Sequence, residues 1–105
     1  MPKFAFIYRD ANPPSSPEEG QAHMEAWRAW SSGLGDALID PGMPFSQMVR
    51  VDKNGIEKWE GDVPLNGVSV VEVATCEEAG AMAASCPHLN LGGDIIVAEG
   101  MDMEM

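Results

Sequence analysis

Basic residues are scarce: six lysines and arginines stand against seventeen aspartates and glutamates, a formal net charge of -11. A surface of that sign repels phosphate backbones and anionic lipid, which argues against nucleic acid and membrane surfaces as partners. Long apolar runs are missing as well. No stretch approaches the roughly 20 apolar residues that a membrane-spanning helix requires. Nor does a basic segment followed by an apolar run of about 7–15 residues open the chain, so no signal peptide is expected and the location is read as cytoplasmic. Cysteine is limited to Cys76 and Cys86. Placed on one predicted helix they lie about 15 Å apart at 1.5 Å per residue, beyond the roughly 7 Å that a disulfide can bridge. Both are expected as free thiols packed as small apolar groups. With only two histidines besides, no complete metal-ligand set is available, and neither metal nor cofactor is expected. Internal repeats and low-complexity blocks are absent.

What remains is ordinary for a globular protein, at 45% hydrophobic and 22% charged residues in a chain of 105. That length suits one domain over residues 1–105, with a frayed tail from Gly100. Its clearest unit is the stretch from Val68 to Glu99. Val68 to Val73 is β-branched and reads as a strand. Thr75 followed by Glu78 is a capping box that opens a helix, Pro87 ends it, and Gly92-Gly93 releases the chain into a strand over Asp94–Glu99. Earlier, Lys3–Arg9 reads as the first strand, and Asp10 to Ser15 as a proline-broken loop. Ser16, Pro17 and Glu19 start a helix running to about Leu34, with Met24, Ala26, Trp27, Trp30 and Leu34 as its apolar face. Ala37–Ile39 predicts a short strand stopped by Asp40-Pro41-Gly42. Gln47–Val51 and Ile56–Trp59 form a hairpin around Asn54-Gly55, and an irregular connection from Gly61 to Gly67 leads into the central strand.

The order predicts an α+β, ferredoxin-like plan, β-α-β-(hairpin)-β-α-β, with two helices on one face of a four-stranded antiparallel sheet. A sheet with one wet face should alternate apolar and polar residues. Here both faces are apolar: Phe4, Phe6 and Tyr8 oppose Ala5 and Ile7, Val68 and Val70 oppose Val71 and Val73, and Ile95 and Val97 oppose Ile96 and Ala98. Two helices cover only one face. The expected cover for the other is a second copy of the chain.

Several segments carry a resemblance, in order and spacing, across nearly the whole chain. They are Phe4–Asp10, Ala26–Trp30 with Gly35–Leu38, Pro41–Phe45, Gly67–Glu72, and Cys86–Leu89 with Gly92-Gly93. Together they resemble the YCII-related (DGPF-domain) proteins of the dimeric α/β-barrel group. The name-giving Asp-Gly-Pro-Phe is absent, and Gly61-Asp62-Val63-Pro64-Leu65 occupies its region, as in a variant branch. The resemblance implies a ferredoxin-like monomer whose sheet packs on a partner's sheet. It further implies either a regulatory role or, as in a few relatives, lyase-like or dehalogenation-type chemistry on small cyclic compounds. That chemistry would use an Asp at the end of the first strand with a His on the first helix.

Asp10 matches that strand-end Asp. The family's helix His falls at Glu25 by ungapped counting, whereas His23 lies two positions earlier, rotated by about 200°. Asp10 with His23 is therefore the candidate acid–base pair; the plain alternative has Asp10 bracing a turn and His23 on the solvent face. Trp27 and Trp30 share a helix face, as a core stripe or a stacking wall for a ligand. Asp36 follows a helix end, where a carboxylate opposes the dipole. Ser69 is a further pocket candidate, without nucleophile–base context. His88 follows Cys86-Pro87 and either fixes its turn or lines a pocket. Met101, Met103 and Met105 alternate like a soft-metal tract but read better as frayed tail. Two functions stay open: a homodimer that binds a small molecule or a regulatory partner, and a small lyase- or dehydrohalogenase-like enzyme.

Overall fold

The computed structural model describes residues 1–59, 61 and 63–101. Strand β1 (Lys3–Arg9) leads through a loop into helix α1 (Pro17–Leu34), whose cap forms as the sequence dictates: Ser16 Oγ accepts from the Glu19 backbone N–H at 3.1 Å. A 3-10 turn, Gly35–Ala37, hands over to β2 (Leu38–Pro44). The hairpin strands β3 (Val49–Asp52) and β4 (Gly55–Lys58) follow, then β5 (Leu65–Glu72). Helix α2 (Cys76–Ala84) is capped by Thr75, whose hydroxyl accepts from the Glu78 N–H at 3.1 Å. A second 3-10 turn, Pro87–Leu91, leads to β6 (Asp94–Glu99).

The result is an α+β structure: one antiparallel four-stranded sheet in the order β2-β5-β1-β6, two helices, and a separate two-stranded ribbon of β3 and β4. Among the described residues no helix is long and apolar enough to cross a membrane. Phe4, Phe6, Tyr8, Val71, Val73, Ala79, Ala83 and Cys86 form the buried core, with Trp27, Trp30, Leu34, Met82, Ile95 and Val97 packed against it. Both helices thus lie on the face that carries Phe4, Phe6 and Tyr8. The Trp30 indole donates to the Met82 carbonyl at 3.1 Å and ties one helix to the other.

Four expectations from sequence need correction. Strand β2 does not stop at Asp40-Pro41-Gly42 but continues through it to Pro44 as an edge strand with two irregularities against β5. An edge tolerates proline because one side of its backbone needs no ladder partner. The bend is built locally: Asp40 Oδ1 accepts from the Gly42 N–H at 2.8 Å, and Gly42 takes φ 71°. A side chain at Gly42 would run into the Val68 carbonyl, so only glycine fits. Strand β5 begins at Leu65, inside the stretch read as irregular; the register against β1 shifts between Tyr8 and Arg9, where Asn66 is the extra residue. The Asn66 side chain uses that freedom to accept from the Ala11 N–H at 2.9 Å.

The half-buried inner stripe of α1 is His23, Trp27, Trp30 and Leu34, while Met24 is 55% exposed and Ala26 is exposed too. At about 100° per residue those four positions fall within a narrow arc, and Met24 and Ala26 lie roughly 70–90° away from its centre. Cys86, finally, is not on the helix of Cys76; α2 has ended and Cys86 caps the next turn.

Both cysteines are free, Cys76 exposed and Cys86 buried. Burial pushes the Cys86 thiol up to about 11, against an opposing hydrogen bond from the His88 backbone N–H. A disulfide-exchange reagent at pH 8 should therefore titrate one thiol in the native protein and two in denaturant. Two fast-reacting native thiols would show that the core around Cys86 is open.

Among the described residues no helix or strand covers the second sheet face. Register places Ala98, Ala5, Val70 and Asp40 in one row across the strands, and Ile96, Ile7, Val68 and Met43 in the next. One end of this field is closed by the Arg9–Asp94 pair, bonded through Nε–Oδ1 at 2.9 Å and Nη2–Oδ2 at 2.8 Å, beside Leu65. Lys3 and Glu72 sit opposite each other at the other end. Ile96 remains 41% exposed and Met43 64%.

Candidate functional site

Beneath α1, the face of β1 that holds Tyr8 gathers most of the polar side chains in the interior. Tyr8 is the only tyrosine of the chain, and its position on the inner face of a central strand obliges its hydroxyl to find a partner. It donates to Ser69 Oγ at 3.0 Å on the neighbouring strand, and Ser69 donates to the Pro41 carbonyl at 2.8 Å. That carbonyl is available because Pro41 sits in the irregular part of β2. Burial pushes the Tyr8 hydroxyl up to about 12, only partly opposed by Ser69, so it works as a neutral donor.

Rings enclose this relay. Tyr8 meets Trp27 edge to face with centroids 5.1 Å apart and His88 at 5.3 Å; Trp27 meets Trp30 at 5.3 Å. His88 is buried, and its Nε2 lies 2.9 Å from the Arg9 carbonyl, an atom that can only accept. Nε2 therefore carries the proton, and the ring fastens the 3-10 turn to the end of β1. Gly93 is part of the same fastening, since a side chain there would collide with the His88 ring and the Arg9 carbonyl. Of the two readings for His88, the geometry supplies the turn-fixing contact.

His23 lies on the inner stripe of α1, not on its solvent face. Its Nε2 accepts from the Trp27 indole N–H at 2.7 Å, which leaves the proton of the neutral ring on Nδ1. Asp10 is exposed at the end of β1 with φ 58°, and its backbone N–H donates to the Pro64 carbonyl at 2.9 Å. Among the described residues no hydrogen bond joins Asp10 to His23. Asp36 is exposed in the first 3-10 turn, whereas Ser69 is buried within the relay just described. Trp27 and Trp30 are half-buried, and both indole N–H groups are engaged inside the chain. Among the described residues no group of three or more His, Cys, Asp or Glu could hold a metal ion. Met103 and Met105 lie outside the described residues.

Burial lowers the His23 ring below its ordinary 6.5, His88 lowers it further, and Glu19 opposes both. Protonation would also put a hydrogen on the nitrogen that accepts from Trp27. Above pH 6.5 the ring is neutral whether folded or unfolded and contributes nothing to the pH dependence. As pH falls through 6.5 the unfolded chain takes the proton first, and stability drops until the lowered native value is reached. Denaturant midpoints measured from pH 7.5 to 5 should show this loss, and His23→Gln, whose amide oxygen can still accept from Trp27, should flatten it. An unchanged slope in that variant would remove His23 as its source. The Arg9–Asp94 pair acts lower down: Arg9 holds the Asp94 carboxyl below 3.8, so its contribution is lost only as pH falls past that range.

A concavity of about 360 Å³ lies at the root of the hairpin and is lined by Met48, Val49, Arg50, Trp59 and Leu65. Sequence reasoning missed both the Tyr8–Ser69–Pro41 relay and this hollow. A lone tyrosine facing a core was the available signal for the first; the second depends on where the ribbon leaves the sheet, which no local pattern encodes. No family model and no curated protein matches the chain.

Proposed function

We propose that this chain is a YCII-related, ferredoxin-like domain that works as a cytoplasmic homodimer, sheet against sheet. On this reading it binds a small molecule or a regulatory partner and does not turn over a substrate. The open sheet face carries the proposal. It has two rows of mostly apolar side chains, one ending in Asp40 on the edge strand, with the other charges at its ends, and an isologous partner would cover it with the same surface. Strand order β2-β5-β1-β6 supports the ferredoxin-like half of a dimeric α/β barrel. The ligand reading is supported by the ring-lined seam of Tyr8, His23 and Trp27, where α1 rests on the sheet with no fully buried residue of its own. The two unpaired thiols suit a reducing compartment.

Light scattering at micromolar concentration should give twice the 11.3 kDa chain mass; a clean monomer overturns the dimer. Because each chain carries -11, association should tighten as salt rises from about 0.05 to 0.5 M, where the screening length falls several-fold. Weakening with salt would mean that ion pairs hold the interface, against the apolar face invoked here.

The enzyme alternative has one observation in its favour: Asp10 holds a left-handed φ of 58° at a strand end, and strained backbone gathers at reactive sites. Aspartate tolerates that conformation more readily than most residues, and the His23 nitrogen facing Trp27 is already an acceptor. A screen of small halogenated and cyclic acids would decide between them, since turnover abolished by Asp10→Asn would favour the enzyme.

A further inference from the structure

We infer that the β3–β4 hairpin is an arm that lies on the second copy of the chain and completes the dimer interface. The inference rests on the dimer reading above and adds a surface to it. Pairing in the ribbon sets Val49 opposite Lys58 and Val51 opposite Ile56, while Arg50 faces Glu57 on the reverse side. That reverse side is charged and self-satisfied, with Arg50 bonded to Glu57 at 2.7 Å and to Asp52 at 3.0 Å. The other side carries Val49, 57% exposed, Val51, 66%, and Ile56, 73%, with Lys58 opposite Val49. A two-stranded ribbon is marginal in water on its own. One with an uncovered aliphatic side gains its cover from another chain.

Two observations make that chain a second copy. The hollow at the ribbon's root runs from Met48, Val49, Arg50 and Trp59 to Leu65, and Leu65 lies opposite Arg9 at the end of the open sheet face. Arm and sheet face therefore adjoin at Leu65, beside the Arg9–Asp94 pair. Area points the same way. Four strands about 4.8 Å apart, each apolar for about five residues of 3.3 Å, make a plane of roughly 300 Å². A stable specific interface takes about 800 Å² from each partner. Side-chain relief narrows that shortfall without closing it, and the arm supplies the remainder.

Sedimentation equilibrium on the whole chain and on a Val51→Ser, Ile56→Ser variant tests the arm. The changes are neutral and sit on exposed positions of a separate ribbon, so far-ultraviolet circular dichroism should not move. Each protomer loses two aliphatic side chains from the interface, and the dimer dissociation constant should rise roughly 100-fold. In the unaltered protein, amide exchange across residues 49–58 should slow when concentration is raised through that constant. A rise of about threefold or less, or ribbon exchange that ignores concentration, overturns the arm while leaving the sheet-to-sheet dimer standing. An unaltered chain that stays monomeric throughout overturns the dimer and the arm together.

Discussion

Val70→Asp should turn the protein into a monomer at concentrations where the unaltered chain is fully dimeric. Val70 stands in the middle of the open sheet face, between Ala5 and Asp40 in the same row. In the monomer its side chain is half-exposed, so an aspartate there keeps its water and leaves the fold intact. Across a sheet-to-sheet interface the same carboxylate would be buried without a cation, a penalty of about 3–5 kcal/mol for one uncompensated charge. Two such charges, one from each copy, would weaken association by at least about a thousandfold. Light scattering should report the single-chain mass with an unaltered circular dichroism spectrum. A variant that remains a dimer would move the interface away from this face.

Gly42→Ala should be the most damaging single-methyl change in the chain. Glycine at φ 71° already favours the left-handed region, which costs an alanine about 1–2 kcal/mol. The larger effect is steric, because the new Cβ overlaps the Val68 carbonyl of β5. Backbone cannot rotate aside as a side chain can, so β2 must lift. With it goes the Pro41 carbonyl that receives Ser69, and behind Ser69 the hydroxyl of Tyr8. A total loss of roughly 3–4 kcal/mol is expected, lowering the thermal midpoint by about 12–25 °C for a domain of this size. Gly80→Ala is the matched control. It lies in α2 with open space at its Cβ and should stabilise by up to about 1 kcal/mol. A mild effect at Gly42 equal to that at other glycines would show that the edge strand yields easily.

Elements whose ends carry their own chemistry were legible in the sequence. Ser16 and Thr75 cap the two helices as their side chains require, and the β-branched and aromatic runs of β1 and β6 give strands with the expected limits. The apolar character of both sheet faces was legible for the same reason, since alternation needs no tertiary knowledge. Elements held by distant partners were not. Strand β2 survives Pro41 and Pro44 because β5 lies beside it and its outer edge is free, and Leu65 joins β5 only because Arg9 stands opposite. The site divides along the same line. His23 could be placed on α1 from sequence, but its acceptance from Trp27 depends on which arc of the helix faces the sheet. Sequence spacing drew that arc too wide, taking in Met24 on one side and Ala26 on the other.

The position of β1 has a consequence for how the polypeptide is made. Of the six strands, β1 is made before the others and ends as an interior strand of the sheet, where Phe4 pairs with Val71 on one side and Glu99 on the other. Both neighbours are synthesised much later, at roughly 5–20 residues per second. Until then Phe6 and Tyr8 have only Trp30 and Trp27 of α1 to pack on and both backbone edges of β1 are open, so the nascent chain carries an aromatic, unpaired strand for seconds. Closing those long loops before any contact rewards them also slows refolding in vitro. An early interior strand with late partners makes folding all-or-none with respect to length: a ribosome-bound fragment ending before Asp94 would have the helices but lack one wall of its sheet.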